Sequence, residues 1–183
     1  HRVHRRQRQM CIRDSINAGS DEFFSTDSWR FYYEELPENK LIRYVPNANH
    51  SLSGEYLTRD LISFFYRVVN NIDLPVLDWE LLDRNLNVSL DYNGEYSVST
   101  WKAFNENGRD FRLWQEGELW KKSNMKKNEN NKYNIEIENN NTGYQAIMVE
   151  FTLDPDSDFP LKISTGPFVF PNSYPYEKYE PIN

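Results

Sequence analysis

The chain has 183 residues, 21 Lys and Arg against 28 Asp and Glu for a formal charge of −7, and one cysteine. That balance excludes the clustered-base footprint of a nucleic-acid binder, and a single cysteine excludes a disulfide framework or a thiolate metal site. No apolar run approaches the roughly eighteen residues of a membrane span.

Residues 1–15 (HRVHRRQRQMCIRDS) differ from all that follows: five arginines, one acid, and no apolar periodicity. They look like translated adaptor sequence and are set apart as a non-native leader. The other reading, a basic arm for nucleic acid, finds no basic patch continuing beyond Ser15. Taking five from the 21 bases and one from the 28 acids leaves 16 and 27, so residues 16–183 carry a charge of −11. Cys11 falls in the leader.

From Ile16 the chain reads as an α/β alternation. Ile16-Asn17-Ala18 is the end of a strand, and Gly19-Ser20-Asp21 turns out of it. Ser25 or Thr26 caps a predicted helix over Asp27 to Leu36, which Pro37 ends. Lys40 to Val45, between two prolines, has the profile of a buried strand. It runs into the loop Pro46-Asn47-Ala48-Asn49-His50. From Glu55 to Ile72, Leu57, Leu61, Phe64, Phe65, Val68, Val69 and Ile72 recur at helical spacing and predict an amphipathic helix whose aromatic stripe is core.

After Pro75 the period becomes two, in Leu86/Val88/Leu90, Tyr133/Ile135/Ile137 and Ile147/Val149/Phe151/Leu153. This predicts a sandwich of about seven strands over residues 76–183. Tyr92-Asn93-Gly94 predicts a tight hairpin joining Leu86–Asp91 to Tyr96–Phe104, and the Asn/Lys-rich stretch Ser123 to Lys132 predicts a solvated loop.

His50 is the only histidine in residues 16–183, so imidazole chemistry has one candidate there. Asp21 precedes it by 29 residues, and each follows a strand. In a parallel sheet both side chains then emerge at one carboxyl edge, where such folds bind ligands. There a carboxylate fixes the imidazole tautomer and frees the other nitrogen to take a nucleophile's proton. Glu22 and Asp27 are competing acids, and an Asx-turn is a second reading of Asp21, compatible with the first. No G-x-S-x-G elbow occurs in residues 16–183, and Ser51 and Ser53 are too close to His50 to serve. The nucleophile is therefore expected upstream, and the chain is expected to be an inert fragment.

Arg109-Asp110-Phe111-Arg112 reads as a buried phenylalanine with Asp110 tied to an arginine rather than as an anion site. Trp101, Trp114 and Trp120 read as sandwich core. No cofactor or metal is expected, because the carboxylates of Asp154-Pro155-Asp156-Ser157-Asp158 fit a solvated turn better than a Ca²⁺ site. Asn49, Asn87 and Asn140 head glycosylation sequons.

Three stretches carry a resemblance: Ile16 through Phe24 with Asp27-Ser28 and Phe31-Tyr32; Leu36-Pro37 with Leu41 through Leu52; and Trp101 through Asn105 with Arg109 through Arg112 and Gly143 through Glu150. They are similar to the PhoPQ-activated pathogenicity-related family, which includes the secreted autocrine proliferation repressors of social amoebae. The resemblance implies the C-terminal part of an α/β-hydrolase-like domain (residues 16–75) followed by an immunoglobulin-like β-sandwich. It further implies Asp21 and His50 as triad acid and base of a serine hydrolase, or else a secreted, non-catalytic signalling protein. The partner would be a small-molecule or peptide substrate, or a cell-surface protein.

Overall fold

In the computed structural model the described residues are 13–37, 40–52, 57–140 and 142–174. Cys11, Ser53 and residues 1–12 of the segment set apart as a leader lie outside them. Strand β1 (Arg13–Ala18), which takes in Arg13 to Ser15 of the segment set apart as a leader, pairs in parallel with β2 (Lys40–Val45), Asp14 facing Leu41 and Ala18 facing Val45. Helix α1 (Leu57–Val69) follows, then β3 (Val76–Leu82), β4 (Asn85–Asp91), β5 (Tyr96–Asn105), the single turn α2 (Leu113–Glu116), β6 (Lys121–Met125), β7 (Lys132–Glu136), β8 (Tyr144–Leu153), β9 (Leu161–Ser164) and β10 (Phe168–Phe170).

The expected fold class, an α/β-hydrolase-like part followed by an immunoglobulin-like sandwich, is corrected by this architecture. The described residues are mostly β-sheet in three sheets, and parallel pairing is confined to β1 and β2. Eight antiparallel strands make up the rest: β3-β4-β7 in one sheet, and β6-β5-β8 in the other with β9 and β10 both paired to β8.

The predicted helix over 27–36 is replaced by two short 3-10 turns, Ser28–Phe31 and Tyr33–Glu35. The residues meant to cap it are engaged elsewhere. Thr26 Oγ1 donates to the Gly19 carbonyl, and the fully buried Asp27 carboxylate accepts Arg109 at 2.6 Å and Arg30 at 3.3 Å. The predicted hairpin at Tyr92-Asn93-Gly94 is instead a crossing between sheets, since β4 pairs with β3 and β7 while β5 pairs with β6 and β8. Within the stretch expected to be a loop, Ser123 to Met125 belong to β6, an exposed strand held on β5.

β8 explains how the layers stack. Ile147, Val149, Phe151 and Leu153 face the cluster shared with β3, β4 and β7, whereas Ala146 and Met148 face a second cluster with Trp29, Ile42, Tyr44 and Trp120. Covered on both faces, β8 reads as a continuous apolar run, Ala146 to Val149, the mark of a central buried strand. The N-terminal unit is thus a third layer on the larger sheet.

A glycine seats that layer. A Cβ on Gly166 would stand 2.2 to 2.3 Å from three ring atoms of Trp29, whose indole Nε1 donates to the Pro167 carbonyl at 2.8 Å. Gly166→Ala is therefore expected to cost about 3 kcal/mol, at the upper end of overpacking, as read by equilibrium denaturation.

Buried charge ties the layers together. Arg43 on β2 meets Glu150 of β8 at 2.6 Å and Asp60 of α1 at 3.2 Å, all three buried, and Lys122 reaches Glu150 at 3.4 Å. Burial would raise the Glu150 carboxyl, but Arg43, Lys122 and Lys162 together outweigh it and hold the group below its usual range. At Asp60 burial outweighs the attraction of Arg43 and Lys162, and Glu150 adds to the rise, so that carboxyl stays raised.

Asp14 on β1 is pushed up to about 6, by burial first and then by Asp60. A carboxyl raised in the folded state holds its proton where the unfolded chain has lost it, so its contribution to stability declines as pH rises from about 4 to about 6. Asp14→Asn is expected to stabilise the protein at pH 7 by on the order of 2 kcal/mol, raising the melting temperature there, and to leave it nearly unchanged at pH 4. Melting curves at the two pH values check this.

α1 differs from the sequence expectation in which side faces inward. Its buried residues are Asp60, Ser63 and Arg67, while Leu61, Phe65, Val69 and the following Ile72 are exposed; of the apolar stripe only Leu57, Phe64 and Val68 turn partly inward. Polar anchors account for this orientation: Arg43 holds Asp60, and Arg67 meets Asp154 at 2.5 Å.

Candidate functional site

The loops that leave β1 and β2 run side by side because the strands are parallel and in register to their ends. Gly19 N donates to the Val45 carbonyl at 2.8 Å and Ser20 N to the Ala48 carbonyl at 3.1 Å. Gly19 has no room for a side chain, since a Cβ would lie 3.0 Å from the Val45 oxygen.

Asp21 then forms an Asx-turn, its Oδ1 accepting from Phe23 N at 2.8 Å and Phe24 N at 3.1 Å. The same carboxylate meets His50 Nδ1, with Oδ2 at 3.0 Å and Oδ1 at 3.2 Å. The Asx-turn therefore holds the same carboxylate that lies against the imidazole. The Asp21 side chain is 8% exposed and that of His50 46%, so the acid is sheltered while the ring stays reachable. A carboxylate at Nδ1 favours the proton on that nitrogen and leaves the Nε2 lone pair to act as base.

The competing acids have other tasks. Glu22 Oε2 accepts from the His50 backbone N at 2.9 Å, holding the loop rather than the ring, and Asp27 is committed to Arg109 and Arg30. In the charged motif that contains Arg109, Phe111 is buried and Asp110 pairs with Arg112. Ser51 Oγ donates to Asn49 Oδ1 at 2.7 Å, a local bond.

Sequence reasoning missed the wall behind the loops. Trp120, buried to 2% exposure, donates its indole N–H to the Gly19 carbonyl at 3.1 Å. Its backbone exchanges two bonds with the Asn47 side chain, at 2.9 and 3.1 Å, and Asn47 takes a left-handed backbone with φ 53. One tryptophan thereby references both post-strand loops. Asn after a strand signals such a turn, but nothing local to Asn47 points 73 residues ahead to Trp120. Phe23 and Phe24, both exposed, stand 4.9 and 5.6 Å from the imidazole, ring centre to ring centre, giving it an apolar rim. Trp114, expected in the core, is exposed beneath the Arg112 guanidinium.

Among the described residues no group of three or more His, Cys, Asp or Glu could hold a metal ion, and no helix is long and apolar enough to cross a membrane.

The sequence profile of the PhoPQ-activated pathogenicity-related protein family matches residues 5–112, more than half of the chain. The chain belongs to that family. The matched stretch contains both post-strand loops with Asp21 and His50, and it ends at Arg112, just past the Arg109 that holds Asp27. A curated relative, autocrine proliferation repressor protein A of Dictyostelium discoideum, is 26% identical over 190 residues, covering 88% of this chain and 38% of the relative. The chain therefore spans less than two fifths of that relative's length. No solved structure matches the chain.

Proposed function

We propose that the chain carries the acid and base of a hydrolytic site for esters or amides, completed by a nucleophile, a serine in the simplest case, from a longer family protein. The single observation behind this reading is the Asp21 carboxylate on His50 Nδ1 at 3.0 Å, with the ring accessible and its loop pinned. In this scheme His50 Nε2 takes the proton of the attacking hydroxyl and returns it to the leaving group. Asp21 stabilises the imidazolium that forms in between. In this proposal the nucleophile comes from outside this chain, because residues 16–183 contain no G-x-S-x-G motif and the Ser51 hydroxyl, next to His50 in sequence, bonds to Asn49 at 2.7 Å.

The test is hydrolysis of a panel of p-nitrophenyl esters and anilides by the longer protein. Activity lost in His50→Ala with folding retained supports the reading. Hydrolysis that is absent, or indifferent to His50, refutes it.

A second reading rests on the relative's name. On that reading the protein is a secreted, non-catalytic repressor of proliferation that presents the same loops as a binding surface. A repression assay separates the two, because under this reading Asp21→Asn, which preserves the loop through the bonds to Phe23 N and Phe24 N, leaves the response intact.

A further inference from the structure

α1 turns its apolar side away from the protein. Asp60, Ser63 and Arg67 are buried beneath it, while Leu61, Ile62, Phe65, Val69 and Ile72 are exposed, Phe65 to 67%. Exposed apolar residues scattered singly need no explanation, but a contiguous stripe along one helix marks an interface. The neighbouring parallel pair points the same way. Among the described residues β1 pairs only with β2, so its other edge is open, and parallel strands are found in sheets with both faces covered.

We propose that the outward face of α1 docks the part of the longer family protein that this chain does not span. The relative's length identifies this occupant. Its aligned portion is 38% of its chain, so most of its polypeptide lies outside the match and is available to cover the stripe. A second copy of this chain is the competing occupant, and it would leave the open edge of β1 without a stated partner. The inference goes beyond the proposed catalysis, because the stripe is covered whether or not His50 acts as a base.

Hydroxyl-radical footprinting of the longer protein tests it with an internal reference. Leu61 on α1 and Leu82 at the tip of β3 share one chemistry and nearly one exposure here, 48% and 52%, whereas Leu86 is fully buried. The expected result is a loss of Leu61 labelling from the level of Leu82 to that of Leu86, at concentrations where light scattering reports a monomer. Leu61 labelled like Leu82 overturns the proposal, as does protection that disappears on dilution from dimer to monomer, which assigns the face to a second copy. Protection must persist in His50→Ala, so failure of the catalytic reading and failure of the docking reading are told apart.

Discussion

Asp21→Asn in the longer protein is expected to lower kcat/KM for ester hydrolysis by about 10⁴-fold, and His50→Ala by at least as much. The asparagine is the sharper probe because it preserves the turn. Its side-chain carbonyl can still accept from Phe23 N and Phe24 N, as Asp21 Oδ1 does, so the loop keeps its shape. The atom at the Oδ2 position, 3.0 Å from His50 Nδ1, becomes an amide donor. That reverses the hydrogen bond, moves the ring proton to Nε2 and removes the base. Glu22→Gln is the contrasting variant. Glu22 touches only the His50 backbone N–H, and an amide oxygen accepts that bond as well, so its loss is expected to stay below about ten-fold, the scale of one modest hydrogen bond. Parallel kinetics on the three variants, with melting curves to confirm folding, check the order. Equal losses at Asp21 and Glu22 would mean that the loop, and not the tautomer, is what matters.

Arg43→Met is expected to be the most destabilising single change in the protein, costing about 3 to 5 kcal/mol, the usual consequence of breaking a buried pair from one side. The guanidinium serves Glu150 and Asp60 together, with side-chain exposures of 4%, 2% and 6% for the three residues, and it also donates to the Tyr44 carbonyl at 2.8 Å. Methionine fills a similar volume but leaves two carboxylates desolvated. Lys122 at 3.4 Å partly compensates Glu150. In a chain of this size the loss corresponds to a fall in melting temperature on the order of 10 °C. The deficit should shrink as the pH falls, because the stranded carboxyls, still raised by burial and no longer held down by Arg43, take up protons. A triple variant, Arg43→Met with Asp60→Leu and Glu150→Met, should regain much of the loss, because a wholly apolar replacement removes the desolvation cost. Thermal and urea unfolding of the single and triple variants decides it.

Much of this molecule could be read from local pattern. Period-two runs marked β4, β7 and β8, and the apolar run between prolines marked β2, since alternation and burial are set by each strand's own faces. The pairing of Asp21 with His50 was legible because two strands in parallel register bring their following loops together. What failed depended on distant partners. Asp27 looked like the first residue of a helix and is instead the counter-ion of Arg109, 82 residues away. The stripe of α1 looked like core, yet Asp60 and Arg67 are drawn inward by Arg43 and Asp154. The alternation of strands and helices and the family resemblance led to the expectation of an α/β-hydrolase-like domain, whereas among the described residues one parallel pair stands beside antiparallel sheets. Trp120, which orders the site, carries no local sign of doing so.

The proposed catalysis rests on Asp21 fixing the His50 tautomer with the proton on Nδ1. Long-range ¹⁵N–¹H correlation of the imidazole rings measures this directly, His50 being distinguished from His1 and His4 by its absence in His50→Ala. The account predicts a neutral His50 protonated at Nδ1 with a bare Nε2, reverting to an ordinary tautomer mixture in Asp21→Ala. A His50 protonated mainly at Nε2, or one whose tautomer ignores the loss of the Asp21 carboxylate, would contradict it.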